Sequence, residues 1–599
     1  MRFHAACSCL LAVSIAALTA AAPIAGFPPK LQPADLVLRD GAIATLDPLQ
    51  PQVQAIAIHD GRIEAIGSNA EIVRYIGAKT QTLDLHGAFV TPGFMEGHGH
   101  LIGTGSSLME LDLGKASNWD AIVAMVKDAV AKAKPGEWIV GAGWHEGKWK
   151  PAPQPNVEGL PLPASLNAVS PNNPVMLDHV SGHGTYANAL ALELAGITRD
   201  TPDPPGGTIV RDKQGNPIGM LRDTAADPVV AAYRRYLAKL PPQEVERRRE
   251  RALQLALQNE VSKGITGFVD MGEDFKTLEW VKRQADNGFP LRLYVNVAGE
   301  SVDALDRQLA QHRNAGYADD HFTVLGIGEV LSDGALGTRS ALMLHPYSDT
   351  PNITGKNVVP MADIERMGRI AARDGMQLSV HAIGDRANRE VLDLFQRIFE
   401  QDPAAHALRW RIEHAQHLDP VDVPRFAQLG VIASMQSIHA CSDAPVVVPR
   451  LGEQRAKQGA YVWHSLIESG AMVLDGSDTP VEDTNPIAGF YCAVTRREGN
   501  GKLFFPEQVK TREEALRDYT WNNAYAVYED KDLGSLTVGK RADMDVFSGN
   551  LLTIPAADIL RTRVLYTIVG GKVVYKKDGA ENWRSGQWFE PMPEFDHVD

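Results

Sequence analysis

The sequence predicts an α/β protein. Its centre is a (β/α)8 barrel of the TIM type, with a small β-sandwich built from both chain ends and a large insertion after barrel strand 1. Three observations carry this reading. Eight short apolar, β-branched runs have the composition of buried parallel strands. From the second run onward their ends recur every ~20–40 residues, the spacing of βα units. Alternating apolar runs broken by Asp-Gly or Gly turns lie near both ends of the chain, which is a hairpin pattern.

Residues 1–25 read as a secretory signal peptide: Arg2 gives a basic start, Leu10–Leu18 is an apolar run, and small residues follow. Cleavage is expected between Ala20 and Gly26. The run is too short and alanine-rich for a membrane span. Cys7 and Cys9 precede it, which argues against a lipid anchor. Residues 34–90 form the first part of the sandwich, in ADLVLRDGAIATLD, VQAIAIHDGRIEAIG and TLDLHGAFVTPGF. Residues 91–534 are assigned to the barrel. Its strands are AFVTPGFMEGH, ITGFVDM, LRLYVNV, TVLGIGEV, QLSVHA, RWRIEHA, VIASMQ and AMVLDGSD. The clearest helix between them is ANREVLDLFQRIF, where Val391, Leu394, Phe395, Ile398 and Phe399 share one face. About 170 residues separate His98 from Asp270, far more than one βα unit needs. An insertion of about 112–240 accounts for the excess, and it emerges at the catalytic face of such a barrel. Residues 535–580 return to the sandwich, and 581–599 form a tail.

The net charge of −15 disfavours nucleic acid and anionic membrane as partners. No membrane contact is expected after signal cleavage, and a homo-oligomer is left open. Of four cysteines, only Cys441 and Cys492 lie beyond the leader. That excludes a disulfide framework, and one bridge and two free thiols both fit.

The informative residues sit at strand ends. His98 and His100 are two apart in an extended run, so both imidazoles point to one side and reach one metal ion. Alone, such a pair is most often a surface or hydrogen-bonded pair. Here His381 ends strand 5, His414 strand 6 and Asp478 strand 8. The C-terminal strand ends of a barrel converge on one site. Five ligand-type residues in that register outweigh the bland reading.

The ordered set resembles the amidohydrolase superfamily, and within it the amidohydrolase-3, YtcJ-like branch. The matching pieces include WIVGAGWHEGKW, GHGTYANALALELAGI, SDGALGTRSALM, PYSD and HAIGDRANREVLD, over roughly Leu36–Tyr575. The resemblance implies one or two divalent ions, zinc first, held by His98, His100, Glu329, His381, His414 and Asp478. That branch commonly carries a lysine where this chain has Glu329 at the end of strand 4. A glutamate already has the carboxylate that the lysine gains on carboxylation, so it can bridge two ions directly. The alternative is an ion pair, with Arg339 for instance, and a single metal. Asp478 is the expected general base. Candidate substrate contacts are Trp144, His145, His183, Asp385 and Arg386, and Glu413 and His417 flank the strand-6 histidine.

The resemblance points to hydrolysis of an amide-type, non-peptide C–N bond in a small molecule. A one-metal deaminase of an amidine-like substrate and a non-catalytic binding or regulatory protein on the same barrel are the alternatives.

Overall fold

The computed structural model describes residues 32–585, apart from 147–148, 180–183, 205–206 and 500. The predicted leader, most of the tail and His183 lie outside the described residues.

Eight parallel strands follow one another in a nearly closed sheet. They are β1 (Phe94–Gly99), β2 (Ile265–Glu273), β3 (Arg292–Val297), β4 (Phe322–Leu331), β5 (Gln377–Ala382), β6 (Arg411–His414), β7 (Ile432–Met435) and β8 (Val473–Asp475). All eight fall within the predicted runs or overlap them. Their residues are almost all buried, which is why these stretches read as continuous apolar runs rather than alternating ones. The first and last strands meet just past β8: Asp478 N–H donates to His98 O at 2.7 Å, and His100 N–H to Thr479 O at 2.8 Å. The seam needs a glycine. A Cβ on Gly97 would lie 2.4 Å from Asp475 O. The predicted amphipathic helix forms as Asp385–Gln401 and buries the apolar face that contains Val391, Leu394, Phe395, Ile398 and Phe399.

Both chain ends contribute to a pair of sheets. One holds Arg62–Gly67, Ala55–His59, Leu36–Arg39 and Gln81–Asp84. The other interleaves Ala42–Ala44, Gln52–Val53 and Phe89–Pro92 with Met544–Phe547, Val564–Val569 and Lys572–Lys576. Residues of both, including Leu38, Ile56, Val90, Val546 and Ile568, share one apolar cluster. This unit is tied to the strand starts of the barrel. Phe94 N–H donates to Asp545 (2.8 Å), and the buried Arg292 pairs with Asp543 (2.7 Å). The strand ends are thus left free at the opposite pole.

Between β1 and β2 the chain builds its own six-stranded sheet, drawn from residues 111–223. Ile139–Trp144 and Val175–His179 pair there in parallel. Trp119, Trp144, Trp149 and Tyr186 lie in its core. The long helix Pro242–Ser262 then leads into β2. Cys441 and Cys492 form a disulfide that joins helix Ser437–Leu451, after β7, to helix Pro486–Thr495, after β8. Among the described residues, no helix is long and apolar enough to cross a membrane.

Candidate metal centre

Six side chains meet at the strand ends. Glu329, from β4, is the hub. Its Oε1 lies 2.9 Å from His381 Nδ1 and 2.9 Å from His414 Nε2, and its Oε2 is 3.8 Å from His98 Nε2. Asp478 Oδ1 lies 3.4 Å from Nε2 of both His98 and His100. Arg339 is not Glu329's partner; it pairs with Asp349 at 2.9 Å. His414 and Asp478 both leave their strands with a left-handed backbone, φ 71° and 61°. Such geometry is costly for residues other than glycine and persists where the surroundings enforce it.

The outer nitrogens of the imidazoles decide what the inner ones can do. His98 Nδ1 lies 2.7 Å from Glu413 Oε2, so it carries the proton and donates. Glu413 is itself held by Arg411 at 2.6 and 2.9 Å, and both are fully buried. His414 Nδ1 lies 2.8 Å from Gln436 Oε1. The amide nitrogen of Gln436 donates to Ser434 O (3.2 Å), which fixes the amide orientation and makes His414 Nδ1 the donor. With Nδ1 as the donor in each ring, Nε2 of His98 and of His414 is the nitrogen that faces the carboxylates. Among the described residues, His98 Nε2 and His381 Nε2 are buried without a hydrogen-bond partner. His381 Nε2 faces Asp333 at 3.5 Å. Asp333 is anchored by the N–H groups of Leu342, Ile383 and Gly384 at 2.7–3.0 Å. Imidazole nitrogens and carboxylate oxygens facing one another across a buried gap fit a cation between them.

Electrostatics agree. Burial pushes the pKa of His98 down, but Glu329 and Asp478 outweigh it and hold it well above the ordinary value. Burial likewise opposes ionisation of Glu329, yet His98 and His414 hold it well below the usual carboxylate range. Asp478 is raised by burial and lowered more strongly by the facing imidazoles of His100 and His98, so it stays ionised. Glu413 ends at about 2, because Arg411 and His98 overcome its burial. The cluster draws positive charge, as protons or as a metal ion.

Two three-residue groups place their ligand atoms within 4.8 Å of one another and share Glu329: one adds His98 and His100, the other His381 and His414. A third joins His98, His414 and Asp478.

The remaining predicted residues have contacts of their own. Trp144 packs in the insertion core, its indole N–H donating to Leu177 O at 2.9 Å. His145 sits beside Glu146 and His179 in the same unit. Asp385 accepts from Leu344 N–H (2.7 Å) at the start of its helix. The Arg386 side chain is half exposed and pairs with Glu390 at 2.8 Å. His417 is buried three residues past His414, with its ring against Tyr461. Sequence reasoning missed Asp333, Gln436 and Asp270. Asp270 lies near the end of β2 and accepts from Leu101 N–H at 3.0 Å, next to His100. Their common signal is a polar residue within a few positions of a barrel strand end.

With fold and cluster in place, the comparisons with known proteins agree. The model of the Amidohydrolase family matches residues 81–575, and the chain belongs to that family of metal-dependent hydrolases. It is 35% identical to the protein LONG AFTER FAR-RED 3 of Arabidopsis thaliana, covering 92% of this chain and 93% of that one. It is 32% identical to the putative amidohydrolase YtcJ of Bacillus subtilis (90% and 98% covered). It is 27% identical to the N-substituted formamide deformylase of Arthrobacter pascens (91% and 99%). Among solved structures, an uncharacterized metal-dependent hydrolase from Pyrococcus furiosus superposes with a TM-score of 0.67 at 26% identity, covering 86% of this chain and all of that one.

Proposed function

We propose that the chain hydrolyses an amide-type, non-peptide C–N bond in a small molecule. N-acyl and N-formyl amines are the first substrate class to try, with related cyclic amides next. The observation that carries this reading is Glu329. One buried carboxylate belongs to two ligand groups at once, the arrangement suited to bridging two ions. We assign His98, His100, Glu329, His381, His414 and Asp478 as ligands, and zinc as the leading ion, since imidazole and carboxylate donors suit it. A divalent ion held there supplies Lewis acidity, which makes water more acidic and polarises an acyl oxygen.

The chain's own residues do the rest. Asp478 is ionised and its side chain is 12% exposed, so it can meet an incoming water. It takes the proton from that water and passes it to the departing amine nitrogen. Glu413 and Gln436 fix the tautomers of His98 and His414, and Asp333 faces the far nitrogen of His381. The relation to a protein named as an N-substituted formamide deformylase supports the formamide class. The deaminase alternative has less support, because it has no need of a bridging carboxylate on β4.

We also propose export. The leader-like start motivates it, and the Cys441–Cys492 disulfide fits an oxidising compartment. N-terminal sequencing of protein from its native host should begin after about residue 20.

The activity test is a panel of N-acyl amino acids, formamides, cyclic imides and esters, with zinc or manganese added. Metal-stimulated release of amine from an acyl or formyl amine is the expected result. Ammonia from an amidine as the sole product would favour deamination.

A further inference from the structure

The insertion carries a second histidine–carboxylate group, remote in sequence from every barrel ligand. We propose that His145, Glu146 and His179 form an additional binding site for a divalent transition ion of the zinc type. One ligand atom from each residue lies within 4.8 Å of the others. The topology brings them together. His145 directly follows the strand Ile139–Trp144, and His179 ends the strand Val175–His179. These strands are parallel, and Trp144 pairs with His179 across them. Two imidazoles thus rise from adjacent strand ends with ring centroids 5.1 Å apart. Glu146 completes the group, its Oε2 3.0 Å from His179 Nε2.

The seat of this group is rigid. Trp144 is buried and meets the His179 ring edge-on at 4.7 Å. Its indole N–H is anchored on Leu177 O, and Trp149 stacks on its other side at 5.4 Å. A ring held this way loses little further freedom when it binds an ion.

The donor set selects the ion. Two imidazoles and one carboxylate suit zinc, cobalt or nickel, whereas calcium and magnesium call for oxygen ligands. Three protein ligands leave a tetrahedral ion one position for water. The Glu146 side chain is 44% exposed and that of His179 14%, so the ion exchanges with solvent and binds more weakly than in the buried barrel cluster. The Glu146–His179 hydrogen bond uses the same atoms as the ion, and the experiment decides between them.

The full chain is equilibrated at a buffered micromolar free zinc concentration and its bound zinc is counted by elemental analysis. The double variant His145→Ala/His179→Ala should carry one zinc fewer per chain than the wild type, with an unchanged circular dichroism spectrum. A folded double variant with the wild-type count overturns the proposal. Should it fail to fold, Glu146→Gln replaces it, since that side chain is half in water. The most weakly held zinc should then bind at least about tenfold more weakly, the lower bound seen even for outer-shell losses. Unchanged zinc affinity in Glu146→Gln overturns the proposal equally. Zinc that remains in the double variant belongs to the barrel. A double variant devoid of zinc, beside a wild type that holds one, counts against the barrel reading and not against this one.

Discussion

The barrel cluster and the insertion group are built from the same parts and differ in how deeply their support is buried. Both place histidines on the ends of neighbouring parallel strands beside a carboxylate. In the barrel, three histidines have a polar group facing the outer nitrogen: Glu413 for His98, Gln436 for His414 and Asp333 for His381. Those groups are themselves held, by Arg411, Ser434 O and three backbone N–H groups. In the insertion, the ring of His179 packs edge-on against Trp144, and its Nε2 meets Glu146, whose side chain is 44% exposed. Hydrogen-bonded support fixes the tautomer and raises ligand basicity, and partners that are themselves buried and anchored hold it most firmly. The difference teaches what burial asks for: His98, His414 and His381 are enclosed together with partners that are themselves buried and held, whereas the carboxylate beside His179 reaches solvent.

The comparison is broken most sharply at Asp478. Asp478→Asn keeps the shape of the side chain and removes its basicity. Four histidines and Glu329 remain, so most of the metal should stay. Turnover should fall at least ~100-fold, within the range of general acid–base contributions. Near-normal turnover, measured beside metal content, would sink the role of Asp478 as base. Glu329→Gln follows. A neutral amide is a poor bridge, so one equivalent of metal should be lost or much weakened. Unchanged metal content would sink the bridging role and favour a single ion.

These sites were not equally legible in the sequence, and the reason is physical. A barrel strand buried on both faces leaves a continuous apolar run, and a ligand at its end interrupts that run with a histidine or acid. His98, His381, His414 and Asp478 are visible for that reason. Asp333 and Gln436 are not, because their role is defined by a partner on another strand; Gln436 lies 22 residues from His414. Trp144 misleads for a related reason. An aromatic beside a histidine looks alike whether it faces a ligand or a core, and here it faces the core. The insertion sheet is the least legible part. Several of its strands span only two to five residues, too few to establish a period, and its pairing order follows contacts across the whole segment.

Glu413 sharpens the comparison from the side of support. It is a positioning residue that acts through His98. Glu413→Gln keeps its size but weakens the hold on the His98 Nδ1 proton and leaves Arg411 with a neutral partner. Outer-shell losses of this kind cost ~10–100-fold in metal affinity. Zinc titration should show that drop at the barrel and no change at the insertion group. An equal loss at both would mean general destabilisation, and no loss would mean that the tautomer of His98 is fixed by something else.

His417 gives the smallest effect and isolates what burial does without partners. Like His98 it is buried, but its ring nitrogens have no hydrogen-bond partner among the described residues. Burial alone pushes its pKa down from 6.5 to about 3, whereas carboxylates carry His98 the other way. A depressed imidazole favours the folded state only while it is neutral. Its contribution is therefore complete above pH ~6.5 and is lost as the pH falls toward ~3. At one pH unit below the unfolded value the loss is about 1 kcal/mol. Leucine cannot take up the proton. The Tm of His417→Leu should therefore fall less between pH 7 and about 5.5 than that of the wild type. Parallel Tm profiles for the two proteins would show that His417 gains a partner or water in solution, and burial would then not be what keeps it neutral.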